Sequence, residues 1–223
     1  MKKVVILLVL VLSPFLLIKA QVKFGVEAGG LANYVLASNA EGKYKFSYKV
    51  GAFVDYGKFH NDNTIESGIY YVRKGVSLNG FLPQYADYIQ KLDGSMDYIE
   101  LVPVLFRFPI LRLGETNKFS FLFGVFASYG FGGKATLWGN DSNNSLFSYQ
   151  VDNVFKDQTF VFNDETYKFK KLNPFDWGAK VGLEYDLNKF KVRAQGAFSA
   201  INLSKYDKKI SNSSLELSVG YTF

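Results

Sequence analysis

The sequence predicts an all-β protein, an eight-stranded antiparallel up-and-down transmembrane β-barrel. Three observations support this prediction. Apolar and polar residues alternate along eight segments, the connections between these segments are alternately long and short, and no apolar run after residue 21 has the roughly 20 residues that a membrane-spanning helix needs. The 223 residues include 22 Phe, 15 Tyr and 20 Gly, a composition that favours strands with one apolar face.

The first residues have the order of a secretory signal peptide. Two lysines follow Met1, an apolar run broken by Pro14 comes next, and Ala20 precedes Gln21. The alternative is a permanent membrane anchor, but the apolar run is shorter than about 20 residues and contains a proline. We therefore predict a removed signal peptide at 1–20 and a barrel domain at 21–223.

The last three segments, 177–185, 190–198 and 215–223, alternate most clearly between apolar and polar residues. A period of two is typical of a strand with one apolar and one polar face. Five earlier segments show the same pattern more weakly: 22–33, 44–56, 64–76, 96–108 and 119–132. In the last of these, Leu122 and Phe126 fall on the otherwise polar face, which leaves its orientation open.

The connection lengths give a second, independent indication. Short connections are 57–63, 109–118 and a two-residue turn at Leu187-Asn188, and the long ones are 34–43, 77–95, 133–175 and 201–214. Bacterial outer-membrane barrels have short periplasmic turns and longer external loops, so the long connections are predicted to lie outside the cell.

The connection at 133–175 is too long for a structureless loop, so it is either functional or contains a further hairpin. The alternation within 160–169 is compatible with an extension of the sixth strand. With the predicted turn at Leu187-Asn188, Glu184 lies opposite Lys191.

Alternation alone does not say which face points outward, and a soluble lipocalin-like barrel would place its apolar face inside. Two features favour the membrane arrangement. Aromatic residues lie at strand ends on the apolar face, where interfacial girdles form: Trp177, Tyr185, Phe190, Phe198, Tyr221 and Phe223. A Lys or Arg facing lipid costs about 2 to 4 kcal/mol at the midplane, so the charged face is predicted to point inward.

The predicted interior carries a network of charged residues. Its members are Glu27, Lys49, Glu66, Glu100, Lys180, Glu184, Lys191, Arg193 and Glu216. The interior of an eight-stranded barrel is just wide enough for side chains to fill. These groups are therefore expected to pair and to plug the barrel, which disfavours open conduction.

The sequence offers little for catalysis or cofactor binding. Without cysteine there are no disulfides, thiolate metal sites or lipid anchors through an N-terminal Cys. The only histidine, His60, falls in a predicted short turn, and no nucleotide-binding or hydrolase motif is present. Five carboxylates of the longest loop match no calcium-loop spacing: Asp141, Asp152, Asp157, Asp164 and Glu165. We predict no enzyme activity, no cofactor and no metal.

Net charge argues against a nucleic-acid partner. It falls from +6 to +3 once the three lysines of the leader are removed, which is too small a charge for that role.

Three stretches resemble the PorT-like outer-membrane β-barrel family: VKFGVEAGGLANY, ESGIYYVRKG and DYIELVPVLFRF. The resemblance covers the mature chain and implies an eight-stranded barrel in the cell outer membrane, with a role in protein secretion as for the founding member. It also implies backbone roles for Gly68 and Gly75, a membrane-interface position for Lys74, and a β-bulge at Pro103.

The expected function is that of a structural or accessory component whose loops or turns contact a secretion or envelope protein. A small porin-like transport protein is the alternative, and a soluble lipocalin-like binding barrel is a more distant one. Outer-membrane lipid is an expected partner of the apolar face. The barrel assembly machinery is a second expected partner, because Tyr221 and Phe223 on the last strand resemble the signal that this machinery reads.

Overall fold

The computed structural model describes residues 22–37, 41–60, 62–79, 89–113, 117–140, 146–162, 164–169, 171–202 and 210–223. The predicted signal peptide lies outside these residues. Within them there is no helix that is long and apolar enough to span a membrane.

The described residues form strands with short connections. In chain order the strands are β1 (Lys23–Ala37), β2 (Glu41–Gly42), β3 (Lys45–His60), β4 (Asn63–Asn79), β5 (Ile89–Arg112), β6 (Asn117–Gly132), β7 (Ala135–Asn140), β8 (Leu146–Val151), β9 (Gln158–Phe162), β10 (Glu165–Phe169), β11 (Phe175–Leu187), β12 (Phe190–Ser199) and β13 (Ile210–Thr222).

Eight of these strands close into an antiparallel barrel in the order β1, β3, β4, β5, β6, β11, β12, β13. The barrel closes because β13 pairs back onto β1, with Val26 opposite Tyr221, and because the amide of Phe223 donates to the carbonyl of Phe24 at 2.9 Å. The predicted eight-stranded up-and-down barrel is confirmed. All eight segments identified from alternation are barrel strands.

The turn between β11 and β12 differs from the prediction by one residue. Leu187 pairs with Phe190, so the turn residues are Asn188 and Lys189, and Asn188 adopts φ 58°. Asn tolerates this left-handed conformation better than most residues, which favours it inside the turn. Glu184 therefore lies opposite Arg193, and the predicted pairing with Lys191 is wrong. Because the partner moves by two residues, every side chain keeps its face.

Pro103 lies in a β-bulge of β5, as expected. Leu101 pairs with Ala127 and Val104 with Val125, so β5 carries one extra residue at this point. A proline is tolerated there because a bulge leaves a residue outside the regular ladder. Beyond the bulge, the alternation of β5 changes phase.

Two strands run past the barrel wall at one end. β5 has 24 residues, about twice the 9 to 11 that cross a membrane. Its first residues pair with the end of β4 and with β7, while β8 pairs with β7, and β2 pairs with the end of β4. We call this assembly the loop-end sheet, its end of the barrel the loop end, and the opposite end, with the turn at Asn188 and Lys189, the turn end.

The expectation of further hairpin structure in the longest connection is confirmed, because it contains β7, β8, β9 and β10. The proposed extension of the sixth strand by 160–169 is wrong. These residues lie in the separate two-stranded hairpin of β9 and β10.

The two faces of the barrel have opposite chemistry. On β13, Leu215, Leu217 and Val219 are 53–65% exposed, whereas Glu216 and Ser218 between them are 1–2% exposed. The six aromatic residues predicted for the girdles all lie on this outward face, and Phe190, Tyr221 and Phe223 form contacting rings at the turn end. This arrangement is the inverse of a lipocalin.

Candidate functional site: the ion-paired interior

All nine residues of the predicted charge network lie inside the barrel, each at most 2% exposed. They are brought together because they occupy inward positions on seven different strands. The ion pairs link them into one continuous network.

Arg193 is the centre of the network. Its Nε donates to Glu184 at 2.9 Å, Nη1 to Glu27 at 2.8 Å and Nη2 to Glu66 at 3.0 Å. Glu66 belongs to β4, which lies across the barrel from β12, so this one guanidinium spans the lumen. Lys191 adds a second contact to Glu66 at 2.8 Å.

A second group of ion pairs lies nearer the loop end. Lys180 contacts Glu100 at 2.7 Å and Glu216 at 3.1 Å, and Lys49 contacts Glu216 at 3.0 Å and Glu27 at 2.6 Å. Lys49 therefore joins this group to the group around Arg193. Gln195 and Ser214 also donate to Glu216, and Ser128 donates to Glu100.

Lys74 forms a third pair, and its predicted interfacial position is wrong. It is 3% exposed, points into the lumen, and contacts Asp176 of β11 at 2.9 Å. The sequence pattern hid this because the inward positions before it, Tyr70 and Val72, are apolar. The charged residues of the inward face of β4, Glu66 and Lys74, are therefore separated by an apolar stretch.

Sequence reasoning missed Arg107, which contacts Glu184 at 3.1 Å and also pairs with Asp55. Glu100 and Arg107 are seven residues apart, a spacing that places residues on opposite faces of a regular strand. The bulge at Pro103 shifts the phase and turns both inward. Combining the predicted bulge with the alternation was the one available signal.

Apolar side chains also lie in the interior of the barrel. Leu122 and Phe126, whose face the sequence left open, point inward and pack in a buried cluster with Leu31, Tyr70, Val72, Val102, Leu105 and Ala197. The Lys74 ammonium lies 5.0 Å from the ring centre of Phe126 and 4.9 Å from that of Tyr98. Apolar and charged groups thus share the lumen.

A larger apolar cluster closes the loop end, and we call it the apolar cap. Its members are Val35, Val76, Leu78, Leu92, Met96, Tyr98, Ala135, Leu137, Phe147, Val151, Val154, Phe155, Phe160, Phe169 and Leu172. Most of them come from the loop-end sheet and from 151–172. The cap therefore lies directly beyond the Lys74–Asp176 pair.

The buried charges balance among the described residues. Six cations face six carboxylates: Lys49, Lys74, Arg107, Lys180, Lys191 and Arg193 against Glu27, Glu66, Glu100, Asp176, Glu184 and Glu216. Buried charges are tolerated only when they are paired and hydrogen-bonded, as these are. The arrangement holds paired, fixed charges across the lumen.

The residues considered for metal binding are scattered. Among the described residues, no group of three or more His, Cys, Asp and Glu is placed to hold a metal ion. Asp152, Asp157 and Asp164 are exposed, Asp157 accepts a backbone hydrogen bond from Lys171, and Asp141 lies outside the described residues. His60 is the last residue of β3, at the turn end.

A closed antiparallel barrel with an apolar outer band and a charged interior defines a transmembrane β-barrel of the outer-membrane type. The chain belongs to the family described as outer membrane protein beta-barrel domain, which matches residues 16–206. It is an outer-membrane protein, and its outward face contacts lipid.

Several solved structures are similar to this chain. Neisserial surface protein A shares 13% identity over 90% of this chain and 97% of its own, with a TM-score of 0.48. OprG from Pseudomonas aeruginosa shares 13% over 92% and 97%, with a TM-score of 0.44. Ail of Yersinia pestis, in complex with the heparin analogue sucrose octasulfate, shares 14% over 91% and 99%, with a TM-score of 0.42. The comparison with curated proteins found no match.

Proposed function

We propose that the protein is a non-conducting outer-membrane barrel that acts as a structural or accessory component and contacts a partner protein through its loop end. The observation that carries this proposal is the closed interior. Arg193 alone connects carboxylates on β1, β4 and β11, and the apolar cap lies beyond the ion pairs. An ion crossing this barrel would have to displace buried, paired charges and then an apolar layer, both at high cost.

The loop-end sheet supports a contact role. It is a hydrogen-bonded continuation of β4 and β5 and forms a surface beyond the barrel wall. Two large apolar side chains are strongly exposed at this end of the molecule, Leu146 of β8 at 79% and Val161 of the separate β9–β10 hairpin at 67%. We propose that these two side chains belong to the contact site.

The finer assignment that we propose is to the PorT-like group, with a partner in protein secretion. It is supported by the order of the three sequence stretches in β1, β4 and β5. We also propose that residues 1–20 are removed on export and that the barrel assembly machinery recognises the outward aromatic pair Tyr221 and Phe223, whose ring centres are 5.5 Å apart.

Conductance in planar bilayers tests the closed interior. The purified barrel, shown to be folded by its different gel mobility before and after boiling, is expected to give no steady channels, because its lumen is filled. Steady open channels would contradict the proposal and favour the porin-like alternative.

A strain lacking the gene tests the secretion role. We expect its secreted and surface proteins to differ from those of the parent, and the wild-type gene to restore them. A Leu146→Asp, Val161→Asp chain is expected not to restore them, whereas the matched Ser148→Asp, Thr159→Asp chain, altered at exposed polar positions of β8 and β9, is expected to do so. An unchanged set of proteins in the deletion strain would reject the role.

A further inference from the structure

The turn end of the barrel contains a basic cavity of about 320 Å³ that the closed interior does not explain. Six basic residues line it, against three carboxylates. The six are Lys23, Lys58, Arg107, Arg112, Lys118 and Lys191. We call this cavity the basic vestibule.

The basic residues form a gradient from the rim to the floor. Lys23, Lys58 and Arg112 are exposed, Lys118 is half-buried, and Arg107 and Lys191 are buried. The two floor residues are balanced by interior carboxylates, so the excess charge belongs to the rim.

At the rim, four cations face two carboxylates, and the third lining carboxylate, Asp55, pairs with Arg107 of the floor. Asp62 pairs with both Lys58 and Arg112, and Asp186 lies 3.8 Å from Lys118. Lys23 makes no ion pair among the described residues. A concave site with an excess of one sign of charge raises the local concentration of ions of the opposite sign.

The floor supplies a second, independent observation. Arg107 is 4% exposed and lines the vestibule, yet its Nε has no hydrogen-bond partner among the described residues. A buried donor without a partner is costly. Because Nη1 and Nη2 already donate to Glu184 and Asp55, Nε is the donor of this guanidinium that is left for a ligand oxygen.

We propose that the basic vestibule binds a compact polyanion, that is, a group that carries two or more carboxylate or phosphate charges. The volume is near the lower limit for ligand pockets, which excludes a large ligand. The described lining residues include no aromatic ring on which a nucleobase or sugar would stack. This proposal does not depend on the partner role of the loop end.

Isothermal titration of the folded barrel in detergent, at low ionic strength, tests the proposal. The probes are inorganic pyrophosphate and a tetra-aspartate peptide. The vestibule variant is Lys23→Gln, Lys118→Gln, which removes two rim charges without breaking a close ion pair. The matched control is Lys156→Gln, Lys168→Gln, which removes the same charge from exposed loop-end positions.

The wild type is expected to bind at least one probe. The vestibule variant is expected to bind it about tenfold more weakly, because each lost charge pair contributes modestly at a partly exposed site. The control is expected to bind it as tightly as the wild type. Tighter binding of pyrophosphate would identify phosphate as the better ligand, and tighter binding of the peptide would identify carboxylates. Absence of binding to the wild type, or equal weakening in the vestibule variant and the control, would overturn the proposal. Gel mobility before and after boiling verifies that each variant is folded.

Discussion

Arg193 shows how a single buried residue organises the barrel. Its guanidinium contacts three carboxylates on three other strands, and each of these carboxylates has a further partner. Placing such charges in a low-dielectric interior costs several kcal/mol per ion, and the pairing offsets this cost. The network therefore adds less to stability than its contacts suggest, but its disruption is expensive.

Replacing Arg193 tests how much stability is lost when the network is disrupted. Arg193→Leu leaves Glu27, Glu66 and Glu184 with less compensation, and we expect the free energy of unfolding to fall by about 3 to 5 kcal/mol. Urea denaturation in detergent micelles measures the change. Arg73→Leu is the matched control, because Arg73 pairs with Asp97 at a partly exposed site, where the expected loss is below about 1 kcal/mol. An unchanged midpoint for Arg193→Leu would contradict a stabilising network.

At the level of the strand, the sequence predicts faces well wherever the alternation is unbroken. β12 and β13 are regular, so the alternation of apolar and polar residues was enough to assign Arg193 and Glu216 to the inward face. β5 is not regular. The bulge at Pro103 shifts the alternation between Glu100 and Arg107, so the inward position of Arg107 does not follow from that of Glu100 by simple alternation. Strand ends were predicted too short because the outer parts of β4 and β5 pair with each other and with β7, where no lipid requires a continuous apolar face.

The apolar cap is expected to be a separate unit of stability. Phe155 lies at its inner edge, with its ring centre 5.5 Å from that of Tyr98 and its ring in the space that a side chain at Gly130 would occupy. Phe155→Ala leaves a cavity there, a change that costs about 3 to 5 kcal/mol in a packed core. We expect this loss to loosen 152–172 and to leave the barrel ladder intact.

Limited trypsin digestion measures this effect, with faster cleavage after Lys156 and Lys171 expected in Phe155→Ala. Leu146→Ala is the control, because Leu146 is exposed on β8 and its truncation creates no cavity. Equal cleavage rates in the two variants, or a large shift in the urea midpoint of Phe155→Ala, would show that the cap is not an independent unit.

Along its axis the whole molecule has three regions with different chemistry. The basic vestibule lies at the turn end, the balanced ion pairs occupy the middle, and the apolar cap closes the loop end. The sequence predicted the strand number and the charged interior, because both follow from short-range periodicity. It did not predict the vestibule or the cap, because each is assembled from strand ends and connections that are far apart in the sequence and meet only in the closed barrel.

The orientation of this axis across the membrane remains a prediction from connection lengths, which places the cap outside the cell and the vestibule in the periplasm. The chain has no cysteine, so a single introduced thiol is unique. Lys156→Cys marks the loop end and Lys189→Cys marks the turn end, and both positions are exposed. A maleimide carried on a polyethylene glycol chain too large for porins is expected to label Lys156→Cys on intact cells and Lys189→Cys only after the outer membrane is permeabilised. The reverse labelling pattern would place the vestibule at the cell surface, and its polyanion would then come from the medium. The loop-end sheet would in that case contact periplasmic proteins.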